Sequence, residues 1–242
     1  MSTLPLEEVH IWCAHQPLTP RPELEATLSS DECERADRFH FAKHRLAYQF
    51  AHAVLRDVLG RYLHRPPRDI RFAENAFGKP FLHETNGGKM PEFSLSHAGR
   101  MVLVGLCRGR RIGVDIEEIR PIGDTSAIAE SHFTPQECAF IFDQKPANRE
   151  HAFFRCWTRK EAYVKAVGKG LSIPLNSFNT QISHGKPAGF LESGPASTDG
   201  ATWQLADLDL SKDYAAAVAV ESGIGRLVYS EWDTSATKQL DC

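Results

Sequence analysis

No apolar run in this sequence is longer than seven residues, the length of Met101–Cys107. A membrane-spanning helix needs about 20, so none is expected. The opening Met1-Ser-Thr-Leu-Pro-Leu-Glu-Glu has no basic stretch and no long apolar stretch, which speaks against a secretory signal. An excess of charge of one sign is also missing: 28 Lys and Arg stand against 31 Asp and Glu, a net −3, unlike a general nucleic-acid binder. The six cysteines (Cys13, Cys33, Cys107, Cys138, Cys156, Cys242) form no Cys-x-x-Cys pair. Zinc-ribbon and thioredoxin readings therefore lose their signature, and scattered thiols without a signal segment point to a reducing, cytoplasmic setting. Absent too are His-Glu-x-x-His, a Walker P-loop, a Gly-x-Gly-x-x-Gly loop and a Gly-x-Ser-x-Gly elbow.

What remains is an ordinary globular composition, 42% hydrophobic and 24% charged over 242 residues, enough for one large domain or two small ones. The alternation of Val9, Ile11 and Cys13 predicts a strand over Val9–His15. Ser29-Ser30-Asp31 offers caps for a helix beginning near Glu32. The recurrence of Phe50, Val54, Val58 and Tyr62, with Leu55, Leu59 and Leu63, predicts a long helix over about 43–63. Strands are expected from Ile70, at Glu92–Ser96, Met101–Cys107 and Ile112–Glu117, with loops at the Gly78-Lys79-Pro80 turn and over 84–91. Arg120–Asp124 reads as the break between a first unit, residues 1–118, and a second, residues 119–242. The second opens with helices over Thr125–Ser131 and Thr134–Phe142, the latter with Thr134 and Glu137 as a capping box. A helix over about 148–167 follows, closed by Gly168; strands are expected at Ser177–Ile182, Thr202–Asp207, Ala215–Glu221 and Leu227–Trp232, and the 234–242 tail reads as frayed. Helices precede strands in both units, which suggests an α+β architecture of two similar halves.

Five groups of residues could carry chemistry. In Gly113-Val114-Asp115-Ile116-Glu117, strand alternation puts Asp115 and Glu117 on one face, as a site for a hard cation such as Mg²⁺ or as a solvated edge. On the following long helix Glu161 and Lys165 are four apart, either an exposed ion pair or a third carboxylate beside a phosphate-facing lysine. Ser94, Ser96 and His97 end a strand before a small-residue turn, suited to gripping a phosphate, or to nothing beyond the turn. Ser96 and His97 diverge on a strand, so they are badly placed as nucleophile and base. Gly78-Lys79-Pro80 offers close backbone approach and a point charge, or a common turn. The basic cluster Arg35, Arg38, Lys43, His44 and Arg45 is an anion site or a solvated face.

The order and spacing of Phe-Ser-Leu-Ser-His-Ala-Gly (93–99), Ile-Gly-Val-Asp-Ile-Glu (112–117) and Phe-Phe-Arg-Cys-Trp-Thr-Arg-Lys-Glu-Ala-Tyr-Val-Lys (153–165) resemble the signature motifs of the 4′-phosphopantetheinyl transferases. Length and the Gly78-Lys79-Pro80 turn resemble the larger, Sfp-type class, and the likeness runs from about Arg35 to Phe178. Ser94 and Ala98 depart from the family pattern, where many members have Asn and Ser. The resemblance implies two similar α/β-type subdomains about a pseudo-twofold axis, with the active site in the cleft between them. It implies transfer of phosphopantetheine from coenzyme A to a serine of an apo acyl, peptidyl or aryl carrier protein, with release of adenosine 3′,5′-bisphosphate. Asp115, Glu117 and Glu161 match its acidic positions for Mg²⁺ or Mn²⁺; Glu161 could also be the base, and Lys165 the cation facing the attacked phosphate. Ser96, His97, Lys79 with the Gly78 and Pro80 backbone, and Arg45 match coenzyme A contacts, with Arg38 and Lys43 as alternatives to Arg45. Lys160 matches a family lysine of structural or interfacial role. The two-half length favours a monomer, as in the Sfp-type class, and the charge balance and short apolar runs speak against nucleic-acid and membrane partners. A carrier-docking strip is expected over residues 131–142, with Phe133, Phe140 and Phe142 either exposed there or in the core. A metal-dependent pyrophosphate hydrolase or nucleotidyl transferase, a module that binds coenzyme A without reacting, and a purely structural interaction domain remain rivals.

Overall fold

The computed structural model describes residues 4–18, 21–83, 90–180, 190–191 and 201–233. Strand β1 (Glu8–His15) leads into helices α1 (Pro22–Glu25), α2 (Ser30–Asp37) and α3 (Ala42–Leu63). A short hairpin, β2 (Phe72–Glu74) and β3 (Pro80–Leu82), precedes strands β4 (Pro91–Ala98), β5 (Met101–Arg108) and β6 (Ile112–Glu118). Helices α4 (Thr125–His132), α5 (Pro135–Phe142) and α6 (Arg149–Val167) follow, then strands β7 (Phe190–Leu191), β8 (Trp203–Asp207), β9 (Tyr214–Glu221) and β10 (Arg226–Glu231). Helix ends obey local chemistry. Ser29 and Glu32 close a capping box on α2, Thr134 and Glu137 another on α5, and Gly168 ends α6 with φ 74°.

Two four-stranded sheets form, in the orders β10-β1-β5-β4 and β6-β9-β8-β7. In the first, β1 pairs antiparallel with β5 and β5 with β4; in the second, β6 pairs antiparallel with β9 and β9 with β8. A long helix, α3 or α6, comes between the first strand and the hairpin of each set. The two halves thus repeat one connectivity, the α+β duplication suggested by the order of elements. The chain crosses between the sheets twice, because β6 pairs in the second sheet and β10 returns to lie parallel to β1. The boundary between the two sheets falls at the turn before Ile112.

The layers follow from the apolar patterns. Val54, Leu55, Val58 and Leu59 of α3 pack on Trp12, Val104 and Leu106 of the first sheet. Ile11 and Leu103 meet Val114, Ile116, Val218 and Val220 where the two sheets face each other. Tyr163, Val164 and Ala166 of α6 pack on Trp203, Ala217 and Ala219 on the far side of the second sheet. Strand β9 alternates its faces: Ala216, Val218 and Val220 enter the inter-sheet core, and Ala217 and Ala219 lie under the helix. Small residues there let α6 come unusually close. A Cβ on Gly113 would lie 2.0 Å from Ala162 O and 2.3 Å from Ala166 N.

One expected strand is replaced. Leu175–Ser177 forms a 3-10 turn, and the chain runs on irregularly to Thr180. The cause is a buried ion pair, Lys160 Nζ to Glu137 Oε2 at 2.7 Å. Lys160 also donates to Leu175 O at 2.7 Å and Phe178 O at 2.5 Å, and Glu137 Oε1 accepts from Thr180 N at 2.8 Å. These backbone groups find charged partners instead of a ladder. The expected chain over 181–182, the loop over 84–89 and the tail 234–242 lie outside the described residues.

The close helix–strand approach yields a test. Gly113→Ala should destabilise the protein by about 3 kcal/mol or more, because its clash is with backbone that cannot step aside. Gly123→Ala, with open space around its Cβ, should stay within about 0.5 kcal/mol. Urea unfolding midpoints of the two variants measure the contrast.

Candidate active site

The Gly113 contact puts the odd-numbered face of β6 against α6, so Asp115 and Glu117 look toward the helix. From α6, Glu161 and Lys165 project one turn apart into the same region, but Lys165 takes a partner across the halves. Its Nζ donates to Asp115 Oδ1 at 2.6 Å and to Ser96 Oγ at 2.9 Å. Ser96 Oγ donates to the same Oδ1 at 2.9 Å and accepts Ile116 N at 3.3 Å. Ser94 Oγ accepts Val114 N at 3.0 Å. The two serines of β4 therefore serve the edge of β6 that β9 does not pair, and Ser96 also orients Asp115.

The electrostatics are unbalanced. Asp115 is 4% exposed, and its Oδ2 is buried without a hydrogen-bond partner. Burial raises Glu117 to about 7, and the Asp115 carboxylate adds to the rise. Glu161 is also held above its ordinary value, by burial first and then by Asp115. Lys165 works in the opposite direction on both glutamates. Among the described residues no three His, Cys, Asp or Glu side chains form a ready metal cage. The donor set nonetheless fits a hard divalent cation: three carboxylates in one field, one carrying an orphaned buried oxygen.

Glu161 and Lys165 open onto a cleft of about 680 Å³ between the halves. Its other wall is Ser29, Arg35, Tyr48 and His52 from α2 and α3, with Arg71, Phe77, Gly78, Lys79 and Pro80 around the β2–β3 hairpin. Of the basic cluster at 35–45, Arg35 lines this cleft; Arg45 is exposed outside its lining. Arg35 stands on α2 whereas Lys43, His44 and Arg45 open α3, so residues close in sequence are carried by two different helices. His97 is exposed at the end of β4; the surrounding protein, and the positive charges of Lys165, His52 and His44, hold its pKa below the ordinary imidazole value. Lys79 lines the cleft, but its Nζ is engaged by Ile112 O at 3.0 Å and Ala166 O at 3.2 Å.

Two further expectations resolve. Lys160 is the fully buried partner of Glu137, which makes it structural. The 131–142 strip offers no exposed aromatic band: Phe133 is 2% exposed and packs on Phe153 at 5.1 Å, and Phe140 and Phe142 lie partly buried on the same cluster. Among the described residues the exposed aromatics are instead Phe39, Phe41, Phe77, Phe81 and Tyr229. Arg71, Tyr48 and His52 were missed as cleft residues. Arg71 and its neighbour Phe72 carried no motif, and the other two lay inside a helix whose apolar periodicity pointed to the core.

The chain matches two family profiles, "4'-phosphopantetheinyl transferase, N-terminal" over residues 21–107 and "4'-phosphopantetheinyl transferase superfamily" over residues 111–219. It is 36% identical over 225 residues to the 4'-phosphopantetheinyl transferase HetI of Nostoc sp., covering 92% of this chain and 91% of that protein. It is 29% identical over 157 residues to the 4'-phosphopantetheinyl transferase Sfp of Bacillus subtilis, covering 64% of this chain and 66% of that one. A solved holo-(acyl-carrier-protein) synthase of Bacillus anthracis aligns at a TM-score of 0.39 and 24% identity, over 47% of this chain and 96% of that one.

The raised Glu117 carboxyl predicts a pH-dependent stability. In the folded protein it holds its proton up to about pH 7, whereas unfolded it ionises near 4.5, so folding is penalised as pH rises through that window. Glu117→Gln removes the penalty. Solvent screening trims the effect of this half-buried group, so the variant should be more stable than the parent by on the order of 1–2 kcal/mol at pH 8, with no gain at pH 4. Melting curves at the two pH values measure it.

Proposed function

The chain belongs to the 4′-phosphopantetheinyl transferase superfamily, and from that premise we propose how its own residues carry the reaction. The enzyme transfers phosphopantetheine from coenzyme A to apo carrier proteins. The carrier's serine oxygen bonds to the phosphorus that bears pantetheine. The bridging P–O bond breaks, and adenosine 3′,5′-bisphosphate leaves with its electron pair. Such transfers need positioning and charge stabilisation more than covalent help from the enzyme, so no activated Ser or Cys is required.

Asp115, Glu117 and Glu161 would hold a divalent cation, Mg²⁺ or Mn²⁺, which when bound neutralises the pyrophosphate charge. The observation that carries this reading is Asp115 itself, whose Oδ1 is held by Lys165 and Ser96 while its Oδ2 is buried and unpartnered. Lys165 stabilises the charge on the transferred phosphoryl group. Glu161, its carboxyl held above the usual range, is the group best suited to accept the serine proton. His97, exposed at the end of β4, contacts coenzyme A phosphate, Ser96 holds Asp115 and Lys165 in place beside it, and the backbone of Gly78 and Pro80 lies at the nucleotide end. Arg35 and Arg71, both on the cleft wall, supply further positive charge there. The first half serves mainly coenzyme A, and α6 of the second serves the transfer. Both walls come from one chain, which supports action as a monomer on an acyl, peptidyl or aryl carrier.

No helix among the described residues is long and apolar enough to cross a membrane. Cys13, Cys33, Cys107, Cys138 and Cys156 are free thiols, in keeping with the cytoplasm.

Incubation with coenzyme A, MgCl₂ and an apo peptidyl carrier protein should add one phosphopantetheine to the carrier, read by intact mass. EDTA should abolish the gain, and Asp115→Ala should reduce the rate at least ~100-fold. Coenzyme A hydrolysed without any carrier would instead favour a pyrophosphate hydrolase. Coenzyme A left intact beside unmodified acyl and peptidyl carriers would favour a binding module.

A further inference from the structure

Most polar groups around the cleft belong to the reaction already described; the ammonium of Lys79 does not behave as one of them. It reaches away from the first half to two backbone carbonyls of the second, Ile112 O at 3.0 Å and Ala166 O at 3.2 Å. Ile112 opens β6, three residues before Asp115. Ala166 follows Lys165 in the last turn of α6, where carbonyls lack donors within the helix. One cation therefore bridges the strand that carries Asp115 and Glu117 and the helix that carries Glu161 and Lys165.

The turn that delivers Lys79 is built to stay put. Asn75 Oδ1 accepts Phe77 N and Lys79 N, both at 2.9 Å, and Asn75 N donates to Lys79 O at 3.0 Å. Gly78 supplies the positive φ of 82°. The same Asn75 donates from Nδ2 to Gly168 O at 2.8 Å, so one turn holds the end of α6 at two points. The fit is tight: a Cβ on Gly168 would lie 2.8 Å from Lys79 Cδ. A cation at a helix C-terminus also meets the negative end of its dipole. With two of its three protons committed to carbonyls, this ammonium has little left for a phosphate.

Resting on the transferase reading above, we propose that Lys79 is a positioning residue: it holds β6 and α6 at the offset that brings Asp115 to Lys165, rather than binding coenzyme A. Burial lowers its pKa, as expected of an ammonium drawn out of water to meet backbone.

The test compares Lys79→Met, Lys79→Arg, Asn75→Ala and the double variant Lys79→Met/Asn75→Ala. Transfer to an apo peptidyl carrier is measured over a range of coenzyme A, with the dissociation constant of coenzyme A by calorimetry. Lys79→Met should lower kcat ~10–100-fold while KM and the dissociation constant stay within ~3-fold, because a misplaced catalytic group costs rate more than binding. Lys79→Arg should recover part of kcat. Asn75→Ala should lower kcat less, and the double variant should fall short of the product of the single effects, since both side chains serve one clamp. Weakening of coenzyme A binding by 10-fold or more with kcat retained would overturn the proposal in favour of a phosphate ligand.

Amide hydrogen exchange supplies a readout that needs no activity. In Lys79→Met, or in Asn75→Ala if the former does not fold, exchange over residues 112–117 and 164–168 should quicken while α3 keeps its protection. Unchanged exchange in both segments would overturn the clamp. If the parent protein modifies no carrier, the transferase reading fails, and the exchange data still decide what Lys79 does.

Discussion

Strand β6 ends its sheet, yet its free edge lies in the interior against the other half of the molecule. Backbone groups there cannot be left to water, and each one buried without a partner costs about 1–3 kcal/mol. The first half answers with side chains. Lys79 takes Ile112 O, Ser94 takes Val114 N and Ser96 takes Ile116 N. The sheets are thus joined not by a continuous ladder but by three side chains spaced at the strand period. Everything that positions the site depends on this seam: it sets the height of Asp115, hands it the Ser96 hydroxyl, and leaves the opposite face of β6 free for α6.

On that opposite face, Gly113, Ala162, Ala166, Ala217 and Ala219 remove the bulk that would separate helix from sheet. The resulting proximity is what allows Lys165 on α6 to reach a carboxylate on β6. The same closeness buries Glu117 and Glu161 beside the Asp115 carboxylate, so burial first and that charge second make them resist ionisation, and one oxygen of Asp115 has no partner. A site whose charge is unbalanced in isolation is suited to bind what balances it, and the cost is carried by the well-packed layers on either side.

Adjacent residues on α6 show how differently one helix can spend its charges. Lys160 is fully buried, pairs with Glu137 and ties down the chain at 175–180, while Glu161 beside it faces the cleft. Just before them, Arg155 and Arg159, themselves one turn apart, both pair with Asp207 on β8 at 2.6 Å, which locks the helix to its own sheet. The charged pattern of this helix therefore mixes anchors with reactive groups, and only depth in the fold separates them.

Local chemistry was legible from residues alone. Periodicity gave the long helices α3 and α6, cap residues gave the neighbourhood of the start of α2, a capping box gave the start of α5, Gly168 gave the end of α6, and alternation put Asp115 and Glu117 on one face. Motif order gave the family and the four acidic and basic positions, Asp115, Glu117, Glu161 and Lys165, that the fold gathers in one field. The sequence could not separate anchor from ligand, because that depends on contacts between residues far apart in the chain. Lys79 is pulled inward by carbonyls 33 and 87 residues away, Arg45 is left outside the cleft while Arg35 lines it, and Phe133 is drawn into the core beside Phe153. The strand expected at 177–182 yields over its described part to Lys160 and Glu137, whose buried charges outbid a ladder. The sequence by itself determined which residue types stand at which intervals, and hence the elements and the chemistry on offer. Tertiary structure alone decided which charges are buried and with whom, because desolvation and hydrogen-bond partners exist only once the two halves close on each other.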